Sequence, residues 1–77
     1  MRVTVLLFGM LAEKASCSSA VIENIKDLDE LVTNLKAKFP FLEKATYAIA
    51  VNQTVINGNI KLNDNDEIAL LPPFSGG

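Results

Sequence analysis

The sequence predicts an α+β fold in which a mixed β-sheet packs against one main helix. Short segments rich in β-branched and other apolar residues lie near both ends of the chain, at 3–8 and 67–71, and such segments favour strands. Between them, apolar residues recur at helical spacing over 28–39. With 77 residues, 49% of them hydrophobic, the chain should form one small domain with a sufficient core.

The N-terminal part should form a strand, a short helical turn and a second strand. The first strand, residues 3–8, ends at Gly9, and residues 10–15 can form a helical turn. The polar residues 16–19 then form a loop. Residues 20–23 can return as a second strand that pairs with the first.

The main helix has a start signal, a buried stripe and a stop signal. Asp27 and Glu30 have the spacing of an N-cap residue and its reciprocal carboxylate, which predicts a helix start at this point. Pro40 should end the helix, because proline lacks the backbone donor that another turn needs. The apolar residues of the stripe, which should face the sheet, are Leu28, Leu31, Val32, Leu35 and Phe39.

The C-terminal half should supply the remaining strands. Residues 47–51 form a third strand, and Asn57-Gly58 is a strong signal for a tight turn. The turn-rich residues 63–66 lead into the last strand, 67–71. The carboxylates near this turn are expected to shape it and to be solvated rather than to catalyse a reaction; they belong to Asp64, Asp66 and Glu67.

Period-two alternation assigns the two faces of the sheet. In the first strand Val3, Val5 and Leu7 should point toward the helix, so other residues of this strand point outward. A sheet with one solvated face normally alternates apolar and polar residues. Here the outward positions are largely apolar, which indicates a protein interface unless a loop folds over them. These outward residues are Leu6, Phe8, Ala48, Ala50, Ala69 and Leu71.

Composition excludes several functional classes. The net charge is −2 at pH 7, and without a basic cluster the chain lacks the electrostatic surface of a nucleic-acid binder. It has no histidine and a single cysteine, Cys17, so neither the usual zinc sites nor an internal disulfide can form. We therefore expect a cytoplasmic protein without a metal site, in which Cys17 is an ordinary free thiol.

A secretory signal is the alternative interpretation of the N-terminus. Met1-Arg2 and the apolar residues 3–12 have such a pattern, with Ala15 as a conceivable cleavage point. Cleavage would remove the first strand and leave too little chain for a stable core, so we favour the strand. No stretch approaches the roughly 20 apolar residues of a membrane span, and no membrane partner is expected.

Residues 72–77 form a distinct tail. Pro72 and Pro73 fix φ and lack backbone donors, so they end a strand without starting a helix. Gly76 and Gly77 carry no side chains and could enter a passage too narrow for other residues, bringing the terminal carboxylate to a partner's catalytic groups. A frayed terminus is the alternative.

Three stretches of the sequence resemble a known family. They are Ala50-Val51-Asn52-Gln53, Asp64-Asn65-Asp66-Glu67 and Pro72-Pro73-Phe74-Ser75-Gly76-Gly77. In this order they are similar to the small, sulfur-carrying subunits of molybdopterin synthase, which are ubiquitin-like β-grasp proteins, and the similarity spans the whole chain. Ala12 stands where many members have arginine. Asn65 stands where glycine is common, and asparagine tolerates the left-handed conformation expected there.

The resemblance implies a sulfur-carrying role for the tail. An E1-like adenylyltransferase would adenylate the Gly77 carboxylate with ATP, and sulfur from a persulfide donor would convert it to a thiocarboxylate. The large subunit of the synthase would receive the tail, and sulfur would pass to cyclic pyranopterin monophosphate in molybdenum cofactor biosynthesis. The resemblance further implies a heterotetramer of small and large subunits, with no cofactor bound to this chain.

The resemblance also assigns domains and site residues. Residues 1–71 would be the β-grasp domain and residues 72–77 a flexible tail, in which Gly76 and Gly77 carry the chemistry. No metal site is expected. The residues expected to contact a partner are Leu6, Phe8, Ala69, Leu71, Pro72, Pro73, Phe74 and Ser75.

Other functions remain open at this point. The same fold and a Gly-Gly end also serve the sulfur carrier of the thiamine pathway and ubiquitin-like modifiers that are joined to lysines. A binding module with an inert tail is the third alternative. The Pro-Pro pair before Gly-Gly and the apolar outward residues favour the molybdopterin branch.

Overall fold

The architecture is a five-stranded mixed sheet packed against one main helix. A computed structural model describes residues 2–73 of the chain. In chain order its elements are strand β1 (Arg2–Leu7), helix α1 (Met10–Ala15), strand β2 (Ser19–Glu23), helix α2 (Leu28–Lys38), a 3₁₀ helix (Pro40–Glu43) and strands β3 (Ala48–Val51), β4 (Thr54–Val55) and β5 (Glu67–Leu71). The predicted mixed sheet on one main helix is confirmed, and β4 and the 3₁₀ helix are additions to the prediction.

The sheet places the last strand of the chain at its centre. The strand order is β2-β1-β5-β3-β4. β5 runs parallel to β1, with Val5 opposite Ile68 and Leu7 opposite Leu70. On its other edge β5 runs antiparallel to β3, with Ile49 opposite Leu70. The first and last strands are therefore neighbours, and β5 is hydrogen-bonded on both edges.

The core lies between α2 and the face of the sheet that meets it, here called the inner face. The predicted stripe of α2 is confirmed, because Leu28, Leu31 and Leu35 are at most 3% exposed and Val32 and Phe39 pack at its margin. The buried residues outside α2 are Val3, Val5, Leu7, Leu11, Ile22, Ile25, Leu42, Val51, Leu62, Ile68 and Leu70.

The start of α2 is fixed by the predicted side-chain cap. The Asp27 carboxylate accepts a hydrogen bond from the Glu30 backbone N–H at 2.9 Å. The Glu30 carboxylate accepts one from the Lys26 backbone N–H at 2.9 Å, one residue before the donor that a capping box normally satisfies. The two bonds together fix the chain where it enters the helix.

The end of α2 is followed directly by the 3₁₀ helix. The Phe39 N–H donates to the Leu35 carbonyl at 2.6 Å and closes α2. Pro40 stops α2 as predicted and then begins the new turn, because the missing N–H of a proline is not needed in the first turn of a helix. Leu42 is 1% exposed and anchors this turn in the core.

The tight turn of the C-terminal half lies at Asn52-Gln53 and not at Asn57-Gly58. β3 and β4 pair across Asn52-Gln53, and these residues have φ values of 48° and 71°, as a type I′ hairpin turn requires. Gly58 also has a positive φ, 93°, but it lies in a bend after β4. The prediction of a tight turn at Asn57-Gly58 was wrong. It used a local signal, whereas the turn at Asn52-Gln53 is held by hydrogen bonds of Asn52 to Asp66 and Glu67, which are distant in the sequence.

The turn before β5 is built around a buried carboxylate. Asp66 is 8% exposed, and it accepts hydrogen bonds from the Asn52 side-chain amide at 2.9 Å and the Asn63 backbone N–H at 2.8 Å. The Asn52 side-chain oxygen accepts one from the Glu67 backbone N–H at 3.0 Å. Asn65 has the predicted left-handed conformation, with φ 68°. Asp66 shapes the turn as predicted, but the expectation that it is solvated was wrong, because these donors occupy its oxygens.

Replacement of Asp66 by alanine should destabilise the fold. It would leave the Asn63 N–H and the Asn52 amide without their acceptor, which should lower the free energy of unfolding by about 2 kcal/mol. Chemical denaturation followed by circular dichroism would measure the loss. Asp64→Ala is the matched control, because that carboxylate accepts a bond from the Arg2 N–H at 2.8 Å in an exposed position. We expect a loss below about 1 kcal/mol for the control, and equal losses would contradict the role of Asp66.

Candidate functional site

The face of the sheet that points away from α2, here called the outer face, carries the predicted outward residues. In β1 the odd-numbered residues are buried, whereas Leu6 is half-buried and Phe8, just beyond the strand, is 45% exposed. In β5 the same alternation leaves Ala69 and Leu71 half-buried. Leu6 lies directly opposite Ala69, so the two strands present these side chains on one surface.

β3 contributes two alanines to the outer face. Ala48 lies opposite Leu71, and Ala50 lies opposite Ala69. Ala48 is exposed, but Ala50 is 5% exposed, so the expectation that Ala50 forms part of an exposed surface was wrong. β3 has a neighbouring strand on each side, and a single methyl group between two strands is easily covered by the longer side chains around it.

β4 adds an apolar residue that the sequence pattern did not indicate. Val55 lies opposite Ala50 and therefore on the outer face, where it is 57% exposed. A strand of two residues offers no alternation from which its face could be predicted. Its face follows only from the hairpin turn at Asn52-Gln53, which the sequence pattern did not indicate.

The outer face thus has an apolar row that crosses four strands. The residues of this row are successive neighbours in register: Leu6, Ala69, Ala50 and Val55. A second row, nearer the end of β5, contains Leu71 and Ala48, with Phe8 just beyond β1. We call the two rows together the outer apolar face: Leu6, Phe8, Ala48, Ala50, Val55, Ala69 and Leu71. A contiguous apolar surface of this kind is typical of a protein interface.

The opposite end of the outer face is more polar. Thr4 lies opposite Glu67, and the side chains of Arg2 and Glu23 form an exposed ion pair at 3.5 Å. An exposed pair of this kind contributes little to stability. Val21, opposite Thr4, is an exposed apolar residue at this end, but its neighbours there are polar. The outer apolar face is therefore concentrated at the end of the sheet where β5 ends.

The tail begins at this apolar end. Leu71 is the last residue of β5 and pairs with Ala48. Pro72 is half-buried and Pro73 is exposed, and neither can donate a backbone hydrogen bond that would extend the sheet. The remaining predicted site residues lie outside the described residues: Phe74, Ser75, Gly76 and Gly77.

The chemically reactive side chains of residues 2–73 are dispersed. Within this range no group of three or more metal-binding side chains lies together, and Cys17 is a half-buried free thiol. None of the helices in this part of the chain has the length and apolar character needed to cross a membrane. The candidate site is therefore the outer apolar face with the adjoining start of the tail.

Comparison with known proteins assigns the family. The sequence profile of the ThiS family matches residues 5–77. The chain belongs to the ThiS family. A curated relative, the molybdopterin synthase sulfur carrier subunit of Dictyostelium discoideum, is 38% identical over 82 aligned positions, which cover 95% of this chain and 93% of the relative.

Two solved structures extend the comparison to the fold. One is described as a protein–protein complex of subunits 1 and 2 of the molybdopterin-converting factor from Helicobacter pylori 26695, and its matching chain is 37% identical with a TM-score of 0.78 and 100% coverage of both chains. The other, the small archaeal modifier protein 1 from Methanosarcina acetivorans, is 28% identical with a TM-score of 0.82, over 99% of this chain and 96% of that chain. The fold is a ubiquitin-like β-grasp, and the resemblance to the sulfur-carrying subunits is confirmed.

Charged substitutions on the outer apolar face should leave the fold intact. Phe8→Asp replaces a side chain that is already 45% exposed, so the free energy of unfolding should fall by less than about 1 kcal/mol. Ile68→Asp is the comparison, because this residue of β5 is completely buried and an unpaired charge there should cost about 4 kcal/mol or more. Thermal melting would measure both variants. A large loss of stability for Phe8→Asp would place that residue in the core and contradict its assignment to the outer face.

Proposed function

We propose that this chain is the sulfur-carrier subunit of a molybdopterin synthase and holds sulfur at Gly77 as a thiocarboxylate. The observation that carries the proposal is the outer apolar face that ends where the tail begins. The chain is also 38% identical to a carrier subunit of this enzyme. An exposed apolar face suits a protein partner, and a partner bound there would meet the tail at the same place.

The Gly77 carboxylate needs activation, because a carboxylate is a poor acyl electrophile. An E1-like adenylyltransferase would join it to AMP from ATP and release pyrophosphate. The terminal sulfur of a persulfide donor would then attack the acyl carbon and displace AMP. A thiol would cleave the resulting acyl disulfide and leave the thiocarboxylate on Gly77.

Sulfur transfer would take place in the large subunit. The thiocarboxylate sulfur would attack a carbon of cyclic pyranopterin monophosphate bound there and displace an oxygen substituent from it. Water would then hydrolyse the resulting thioester, which leaves the sulfur on the pterin and restores the Gly77 carboxylate. The Asp66 carboxylate of this chain is engaged in its own turn, so we assign the acid and base groups to the large subunit. The proposed assembly is a cytoplasmic heterotetramer of two small and two large subunits.

Docking of the outer apolar face should precede entry of the tail. Fixing one residue of backbone costs about 1–2 kcal/mol of conformational entropy, so holding the residues after Pro73 in one conformation within a narrow passage would carry a substantial cost. Burial of an apolar surface on the partner offsets that cost. We therefore expect an interface of at least roughly 1,000 Å² that includes the tail.

Two related functions share this geometry. The small archaeal modifier protein 1, at 28% identity, makes a protein modifier the second candidate, and the ThiS family match is also consistent with a thiamine-pathway carrier. The three functions differ in the acceptor of the activated tail. A modifier is joined to lysine side chains, whereas a carrier alternates between carboxylate and thiocarboxylate.

Coexpression with an activating enzyme and a sulfur source should add about 16 Da to the intact protein, the mass difference between oxygen and sulfur. Intact-protein mass spectrometry would measure this shift. An unchanged mass would contradict the carrier function, and conjugation to other polypeptides would identify a modifier. Addition of the large subunit and pyranopterin precursor should then move the sulfur to the pterin. Transfer only to a thiamine-precursor system would assign the thiamine pathway instead.

Variants of the C-terminus provide the control for that experiment. Gly77→Val, or one residue added after Gly77, should abolish the mass shift because side-chain bulk or extra length cannot be accommodated in a passage that fits glycine. The melting temperature should stay unchanged, since Gly77 lies beyond the last strand, β5 (Glu67–Leu71). Normal adenylation of the extended variant would contradict the proposal.

Phe8→Asp and Val55→Asp should each weaken binding to the large subunit. A charge placed within an apolar interface loses its hydration, and we expect a loss of about 2 kcal/mol, or roughly 30-fold in Kd. Ala37→Asp, at an exposed position of α2, is the matched control and should change Kd less than about twofold. Isothermal titration calorimetry would measure all three. Unchanged affinity for the first two variants would place the interface on another surface.

A further inference from the structure

Gly9 has a backbone conformation that residues with a side chain rarely adopt. Its φ and ψ are 56° and −135°, close to the mirror image of an extended L-residue, which glycine adopts without steric cost. A Cβ atom built on Gly9 would lie 3.1 Å from Cγ of Pro72. Gly9 therefore presents bare backbone to the first residue of the tail.

The segment around Gly9 is tied to the first turn of α1. The Gly9 carbonyl accepts hydrogen bonds from the backbone N–H groups of Ala12 at 3.1 Å and Glu13 at 3.3 Å. The preceding carbonyl, of Phe8, accepts one from the Leu11 N–H at 3.1 Å. Because Leu11 is 1% exposed in the core, the surface that Gly9 offers to Pro72 is fixed to the body of the domain.

Pro72 lies just beyond the last residue that is paired in the sheet. Leu71, just before it, is the last residue of β5 to pair with β3, and Pro72 has no N–H with which to continue the pairing. Pro72 is nevertheless half-buried, whereas Pro73 is exposed. The contact with Gly9 therefore replaces the sheet hydrogen bonds as a constraint on where the chain goes after Leu71.

We propose that Gly9 is a positioning residue for the reaction of the tail: its bare backbone seats Pro72 and so sets the direction in which the chain leaves the sheet after Leu71. In this role Gly9 acts through Pro72. The inference rests on the proposed sulfur-carrier function. An added Cβ at Gly9 would push Pro72 away by a few tenths of an ångström. Because misplacement of a reacting group by about 1 Å can lower a rate by up to a hundredfold, this smaller shift should slow the chemistry at Gly77 by a few fold.

Gly9→Ala tests the inference, with Gly58→Ala as its matched control. Both glycines have positive φ, 56° and 93°, but an added Cβ at Gly58 meets nothing within 4 Å. Single-turnover formation of the thiocarboxylate should slow about threefold or more in Gly9→Ala, while Kd for the activating enzyme changes less than about twofold. Gly58→Ala should keep the wild-type rate. An unchanged rate for Gly9→Ala would overturn the inference.

The Pro72→Ala background separates tail positioning from a local effect of the Gly9 loop. Alanine lacks the Cγ that the added methyl group of Gly9→Ala would meet, so Gly9→Ala should slow the reaction less in this background than in the wild type. Equal slowing in both backgrounds would show that Gly9 acts only on its own loop and would overturn the proposal. The melting temperature of each variant shows whether it is folded.

If Gly9→Ala does not fold, the contact between Gly9 and Pro72 can be tested directly on the unmodified protein. An NMR nuclear Overhauser effect between the α protons of Gly9 and the γ protons of Pro72 should be present, and its absence would overturn the inference. Failure of the proposed function is distinguishable, because the wild-type protein would then gain no sulfur in the mass experiment. If the wild type and Gly9→Ala gain sulfur at the same rate, the positioning role of Gly9 is wrong while the carrier function stands.

Discussion

The parallel pairing of β5 with β1 is the constraint on which the rest of the structure depends. It joins the last strand of the chain to the first, with Val5 opposite Ile68, and both residues are completely buried. Closing such a long loop has an entropic cost, although this cost grows slowly with loop length. The pairing persists because β5 is also bonded to β3 and its inner face is covered by α2. The start of the tail is consequently attached to the most buried part of the molecule.

The two faces of β5 place alternate residues in different environments. Ile68 and Leu70 are completely buried on the inner face, whereas Ala69 and Leu71 lie half-buried on the outer face. The alanines at 50 and 69 lie opposite one another. Because their side chains are short, the centre of the outer face is shallow compared with the larger apolar side chains around it. A partner could therefore contact the outer apolar face closely without disturbing the core behind it.

Most elements could be predicted from the sequence because their signals are local and periodic. The stripe of α2, its Asp27 cap and the alternation in β1 and β5 each depend on residues close together in the chain. β4 could not be predicted in this way, because two residues have no period. The hairpin turn at Asn52-Gln53 was missed for a different reason, since Asn52 is held by Asp66 at 2.9 Å, fourteen positions away in the sequence.

The candidate site was predictable to the same extent and with the same limits. Leu6, Phe8 and Leu71 follow from counting alternate residues in strands with clear periods. Val55 required the strand pairing, and the burial of Ala50 required knowledge that β3 has neighbours on both sides. The contact of Gly9 with Pro72 joins the two ends of the chain, so it leaves no local signal beyond the glycine itself.

Different contacts hold the two ends of β5, and both act on its register. At the start, Asn52 bonds the Asp66 carboxylate and the Glu67 N–H; at the end, Pro72 lies against the bare backbone of Gly9. A slip of one residue would turn every side chain of β5 to the opposite face and move the tail by about 3.3 Å. Such a slip would expose Ile68, which is now completely buried, and would turn Ala69 and Leu71 toward the core. Fixing the register of β5 therefore preserves both the core and the outer apolar face.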